Sequence, residues 1–181
     1  MLTRSDFSAA QKRAAAMIRE SGVCISEEES QKVEVADFGL GRLEVEGAQI
    51  LTLLATDRIA VKIIILFPKQ TLPEHWHPPV GDDPGKEETI RVVSGNLRVY
   101  IPGDENMREG FIPAGQEEVY TMRHELLLKP GGQITLQPGI IHWFQAGQGG
   151  AVMYSFSTVA RDILDGFTDP DIKRVTEIQE A

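Results

Sequence analysis

His75-Trp76-His77-Pro78-Pro79, then Glu88 with Gly95 seven positions on, then Pro138-Gly139-Ile140-Ile141-His142, is the pattern that decides how this chain is read. Side chains alternate between the two faces of a strand, so His75 and His77 aim at one point while Glu74 and Trp76 point away. Pro78-Pro79 stops that strand, and a loop rich in Gly, Asp and Pro leads to Glu87-Glu88. The Pro138-Gly139 turn then delivers His142 into a further strand. Neutral imidazole nitrogens and one carboxylate oxygen suit a divalent ion such as Mn²⁺, Fe²⁺, Co²⁺, Ni²⁺ or Zn²⁺. The expected metal ligands are His75, His77, Glu88 and His142, with Glu88 preferred to Glu87 by its spacing to Gly95.

Outward from this pattern the chain reads as short strands. Candidates are 41–45, 48–55, 59–67, 70–77, 87–93, 95–100, 118–122, 125–128, 132–137, 142–145 and 151–157. Gly- and Pro-containing turns lie between many of them, such as Phe67-Pro68-Lys69, Ser94-Gly95-Asn96 and Pro130-Gly131-Gly132. Many short strands at this spacing predict an antiparallel sandwich or jelly roll. Ahead of them, residues 5–20 read as a helix capped by Ser5, with Phe7, Ala10, Ala14, Met17 and Ile18 in one apolar stripe. Ser26-x-x-Glu29 has capping-box form and predicts a second, short helix. The expected organisation is one domain over residues 1–181, mainly β, with residues 1–32 as a helical extension packed on a barrel and further short flanking helices. The polar tail from Asp162 onward is expected to wrap the barrel or a partner subunit.

The 181 residues suit one domain. The net charge of −9 would repel a phosphate backbone, which argues against nucleic acid as a partner. Cys24 is the only cysteine, so no intrachain disulfide can form, and its flanking Val23 and Ile25 make it read as small apolar filler. The longest apolar run, Ile63 to Phe67, is too short to cross a bilayer, and the first residues lack the apolar stretch of a secretory signal. A cytoplasmic protein with no membrane partner is expected.

His-x-His, Glu-x6-Gly and Pro-Gly-x2-His together resemble the two cupin motifs, from Leu66 to Ala146. The loop between His77 and Glu88 is longer than the usual cupin spacing, and Ala146 stands where many cupins carry Asn. A cupin jelly-roll barrel is therefore the expected fold. The likeness extends further: Asp37-Phe38-Gly39-Leu40-Gly41, Lys62, Pro73-Glu74-His75-Trp76-His77-Pro78-Pro79-Val80, Gly85-Lys86-x-Glu88-Thr89, His124-Glu125, His142-Trp143-Phe144-Gln145-Ala146-Gly147 and Phe167-Thr168-Asp169-Pro170 resemble the small D-lyxose isomerases of the cupin class. That resemblance implies a Mn²⁺-dependent aldose–ketose isomerase, usually a homodimer, acting on D-lyxose/D-xylulose and often more slowly on D-mannose/D-fructose.

Aldose–ketose conversion moves a proton between C1 and C2. It needs a base, and positive charge near the substrate oxygens. Lys62, amid the apolar Val61 and Ile63, would be costly to bury without such a role. The resemblance also implies a glutamate on the late strand as the base, and Ser155 occupies that position. Serine is no carboxylate base at neutral pH. His124, with an unperturbed pKa of about 6.5, is the first substitute. Glu74, Glu125 and Asp162 are further candidates, although alternation turns Glu74 away from the metal. Two rival readings stay open: a non-haem iron dioxygenase using the same ligands, and a sugar-binding cupin without turnover.

Overall fold

The computed structural model describes residues 2–179. In chain order the elements are β1 (Leu2–Thr3), α1 (Arg4–Glu20), α2 (Glu27–Ser30), β2 (Glu34–Ala36), β3 (Ala48–Ala55), β4 (Ile59–Leu66), β5 (Thr71–Trp76), β6 (Glu88–Ile101), β7 (His124–Leu128), β8 (Gln133–Leu136), β9 (His142–Thr158), β10 (Gly166–Phe167) and β11 (Ile178–Gln179). A 3₁₀ turn, Asp162–Leu164, lies between β9 and β10.

Two long strands build the barrel. β6 and β9 run antiparallel from Glu88↔Ser157 to Tyr100↔Trp143. Each serves two partners on its free edge. β9 pairs with β5 near its start (His75↔His142, Thr71↔Gln145) and with β4 near its end (Leu66↔Ala151 to Ile59↔Thr158). β6 pairs with β8 near its start and with β7 near its end. The same two strands thus belong to two sheets. One is β8-β6-β9-β4-β3-β2, the other β7-β6-β9-β5-β10, and they face each other as a jelly roll. The register slips between Val92 and Ser94 and between Gly95 and Leu97, where the ladder bends from one sheet to the other. The sequence reading divided both long strands at these bends. The structure carries each through as one strand, because hydrogen bonding resumes beyond the bulge.

Alternation sorts the side chains. Ile90, Val92, Leu97, Val99, Phe144 and Met153 point inward and pack with Ile50, Ile64, Leu66 and Leu72. On the outer face of the first sheet, Leu51, Ile63, Ile65, Phe67 and Val152 meet Ala10, Ala14 and Ile18 of α1. The outer face of the second sheet is covered by residues 102–123: Tyr120 packs with Tyr100 and Trp143, and its hydroxyl donates to Glu46 Oε1 at 2.6 Å.

Several sequence expectations change. Thr3, not Ser5, caps α1: its Oγ1 accepts from Asp6 N at 3.1 Å. The Ser26–Glu29 capping box is present as expected. Residues 41–45 form turns, closed by Val45 N and Glu46 N donating to Arg42 O. Residues 118–122 form no strand, and Val119 N and Tyr120 N donate to Gln116 O instead. The three-residue β2 was too short to register as a pattern. Cys24 is exposed, so it fills no apolar space.

Gly95 shows why the motif needs glycine there. Its φ is +76°, and a Cβ would lie 2.1 Å from the Gly150 carbonyl oxygen. That contact is backbone against backbone where β6 crosses β9, so neither side can yield. Gly95→Ala should cost about 3 kcal/mol of stability. Gly149→Ala, with no atom within 4 Å of its Cβ, should cost less than about 1 kcal/mol. Urea midpoints of the two variants against the wild type check this.

Candidate metal centre

The register of β5 against β9 places His75 directly across from His142. The rings of His75, His77 and His142 crowd together, with centroids 4.2 to 5.4 Å apart. One ring nitrogen from each lies within 4.8 Å of the other two. The Pro138-Gly139 turn is tied to the other half of the site, since Gly139 N donates to the His77 carbonyl at 3.0 Å. Gly85 shares that constraint: its φ is +107°, and a Cβ there would sit 2.6 Å from the same carbonyl oxygen.

The tautomers follow from the partners. His75 Nδ1 lies 2.8 Å from the Pro73 carbonyl oxygen and His142 Nδ1 2.8 Å from that of Ile140. A carbonyl only accepts, so both Nδ1 atoms carry the proton and both Nε2 atoms present a lone pair. Nε2 of His77 and of His142 are buried without a hydrogen-bond partner. Buried unpaired acceptors are costly. Imidazole nitrogens brought to one point, two of the rings fixed by backbone carbonyls, are what a divalent ion of the borderline class requires.

Glu88 opens β6 and is buried, 4 % exposed, whereas Glu87 is exposed and accepts from Gln137 Nε2. Glu88 Oε2 lies 3.7 Å from His77 Nε2, and Glu88 Oε1 accepts from Ser155 Oγ at 2.5 Å. Ser155 thus holds the carboxylate beside the histidines. Lys62 is buried on the same inner face as Ile64, two positions on, and its ammonium pairs with Asp162. Lys86 Nζ lies 3.3 Å from Asp162 and 3.6 Å from Glu88, and Arg174 lies 3.7 Å from Asp162. Asp162 therefore ties the 3₁₀ turn to β4, to the loop before β6 and to the tail. These groups line a narrow cleft, with a cavity volume of about 40 Å³, together with Phe38, Ile50, Phe144, Asp165 and Phe167.

Burial sets the protonation states. It pushes His75 well below its ordinary value, helped by the neighbouring His142 and His77. It lowers His77 to about 3, against the pull of Glu88. His142 falls to about 4 for the same reason, against its backbone hydrogen bond to Ile140. Burial alone would raise Glu88, but the Lys86 ammonium and the nearby histidines hold it below the carboxylate range. Burial, opposed by Lys86 and reinforced by Asp162 and Glu88, raises Asp165 to about 7.

The other sequence candidates lie elsewhere. His124 opens β7, its Nδ1 2.8 Å from the Asp104 carbonyl oxygen, and it is not among the cleft-lining residues. Glu74 faces away from the histidines, as alternation requires. It accepts from Thr121 N, Thr121 Oγ1, Met122 N and Thr168 Oγ1 at 2.7 to 2.8 Å. Glu125 accepts from Tyr100 Oη and Gly110 N. Sequence reasoning missed Lys86, Arg174 and Asp165. Lys86 was within reach, because Lys86-x-Glu88 repeats the two-residue spacing that puts side chains on one face.

The D-lyxose isomerase profile matches residues 6–181. A D-lyxose ketol-isomerase from Cohnella laeviribosi is 46% identical over 176 residues, covering 97% of each chain. The chain belongs to the D-lyxose isomerase family. A D-lyxose/D-mannose isomerase from Thermosediminibacter oceani is 44% identical over 99% of this chain and 100% of that one. Among solved structures, the L-ribose isomerase of Acinetobacter sp. DL28, crystallised with L-ribose, superimposes with a TM-score of 0.83 over 98% of both chains at 16% identity. That likeness is one of fold.

The depressed histidines carry a pH signature. An unfolded histidine takes up its proton near pH 6.5, but these folded ones resist protonation down to pH 3–4. Unfolding therefore binds protons below pH 6.5, and stability is lost as the pH falls through that window. Metal-stripped protein should lose about 1.4 kcal/mol per pH unit for each such histidine. The His77→Gln/His142→Gln double variant should show a shallower loss. Thermal melts between pH 7 and 4 measure the difference.

Proposed function

We propose that this protein is a divalent-metal-dependent aldose–ketose isomerase that interconverts D-lyxose and D-xylulose, with D-mannose and D-fructose as a slower pair. Its working metal is Mn²⁺, held by His75, His77, Glu88 and His142, and it acts as a homodimer in the cytoplasm. The observation that carries this reading is the pair of buried, unpartnered Nε2 atoms on His77 and His142, grouped with a nitrogen of His75 and, on His77, 3.7 Å from Glu88. The names of the Cohnella and Thermosediminibacter relatives support the choice of sugars. No helix among the described residues is long and apolar enough to cross a membrane.

A divalent ion held by these residues would supply positive charge to the oxygens of an open-chain sugar. The residues around it do the rest. Lys62 and Lys86 place ammonium groups in the cleft, where water is scarce and a charge acts strongly on a developing oxyanion. Asp162 fixes both lysines, so they meet the sugar without reorganising. Phe38, Phe144 and Phe167 offer apolar rings to the C–H edges of the sugar and displace water. Ser155 orients Glu88 and leaves the proton-carrying role to another group.

The test is metal-stripped protein incubated with D-lyxose or D-mannose, with and without Mn²⁺. D-xylulose, and more slowly D-fructose, should form only in the presence of the metal. A folded, metal-loaded sample that forms neither ketose overturns the proposal. His142→Ala should weaken metal binding and lower turnover, each by at least about 100-fold. Lys62→Met should lower kcat by about 100-fold with metal retained. His124→Ala should leave kcat within about threefold, since the ring is held by Asp104 away from the cleft lining.

A further inference from the structure

Three carboxyl groups line the cleft: Glu88, Asp162 and Asp165. Two of them are committed. Glu88 is held by Ser155 beside the histidines, and Asp162 is held between Lys62, Lys86 and Arg174. The Asp165 carboxylate alone makes no hydrogen bond or ion pair with another described residue.

Its direction is set by the sheet. β10 pairs with β5 through Gly166↔Trp76 and Phe167↔His75. Continuing that register one residue back brings Asp165 opposite His77. The Phe167 ring lies 5.9 Å from the His75 ring, so this face of the strand looks into the site. Asp165, two positions before Phe167, looks the same way and lines the cleft with it. Glu74, a buried carboxylate on the neighbouring β5, is turned outward by the same alternation and saturated with four hydrogen bonds. A base that must take up a proton and return it has to be unengaged and on the substrate side of the histidines.

The geometry points to Asp165 as the base that carries the proton between C1 and C2 of the sugar, an assignment that rests on the isomerase reading of the site. Its carboxylate takes the proton from C2 of the open-chain aldose. The C2–H electron pair becomes the C1–C2 double bond, and the π pair of the C1 carbonyl moves onto O1. The same carboxyl then returns its proton to C1 as the C2 carbonyl forms, and the proton leaving O2 ends on O1. Atoms and electrons balance within the sugar, and no outside oxidant or reductant is needed. Ser155 on β9 then has no proton to move; its work is to hold Glu88.

The test compares the Mn²⁺-loaded wild type with Asp165→Asn and Asp165→Glu. It reads kcat and KM for D-lyxose, bound metal, and uptake of solvent deuterium at the sugar carbons in D₂O. In Asp165→Asn, kcat and deuterium uptake should fall together by about 1,000-fold. KM and bound metal should stay within about threefold, and Asp165→Glu should recover at least about tenfold of the lost rate. Asp165→Asn retaining more than about a tenth of wild-type kcat overturns the assignment, because a general base contributes at least about 100-fold. So does an equal loss in both variants accompanied by loss of metal, which marks a structural role. Should Asp165→Asn fail to fold, Asp165→Ser is read by the same criteria. A wild type that forms no ketose sinks the isomerase reading itself, which separates that failure from a failure of Asp165 alone.

Discussion

The antiparallel ladder between β6 and β9 fixes almost everything else. Because these strands stay paired while bending from one sheet to the other, the N-terminal part of β6 lies against the C-terminal part of β9. The start of β9 then lies beside β5. Glu88, at one end of this ladder, therefore meets Ser155, while His142, at the other, meets His75. The candidate ligands come from the end of β5, the start of β6 and the start of β9, yet they need only one closed register. The crossing at Gly95 and Gly150 is the tightest point of that closure, which leaves no room for a side chain. A motif glycine far from the metal ligands thus protects the geometry of the site through backbone packing.

Such a barrel can bury charge only if the charges answer one another. The cleft sets Lys62, Lys86 and Arg174 against Glu88 and Asp162, and the three histidines beside it are neutral. Removing one member would leave its partner buried and unpaired, which costs several kcal/mol. Asp162 is the hub, since all three cations reach it. Its carboxyl stays ionised because Lys86 and Lys62 outweigh the burial that would raise it. This network also explains why a polar, acidic tail folds back onto an apolar barrel: Asp162 comes from that tail and its counter-charges Lys62 and Lys86 sit inside the mouth, while Arg174 ties the tail to Glu34 of β2.

Sequence reading brought the three histidines together because strand alternation is a strict rule. His75-x-His77 on one face and Glu74 turned outward follow from a period of two, while Glu88 was preferred to Glu87 by its spacing to Gly95, and Glu88 is the buried one of the two. The inward lysine at 62 was legible for the same reason, from the apolar residues flanking it. Other features were not legible, because their causes lie far off in the chain. Tyr120 looks like a strand residue, but what buries it is Trp143 and Glu46. Residues 41–45 carry alternating apolar side chains, but Glu46 is drawn into a bridge with Thr71 and the chain turns to reach it. Asp165 lies just ahead of a strand of two residues, and nothing local says which face it takes.

β5 resolves that last point, since its two faces do different work. His75 and His77 supply imidazoles on one side. On the other, Glu74 accepts from Thr168 Oγ1, and its backbone carbonyl accepts from Thr168 N at 3.2 Å. Trp76 covers Gly166, where a Cβ would fall 2.3 Å from the indole ring. The outward face of β5 therefore pins the start of the tail, and that pinned segment carries Phe167 and Asp165 toward the inward face. A slip of one residue in β5 would take the imidazoles out of the barrel and release the tail together. The histidine cluster and the cleft wall are thus a single register decision, and the conformations of residues 162–167 and of the histidines should be gained or lost as one.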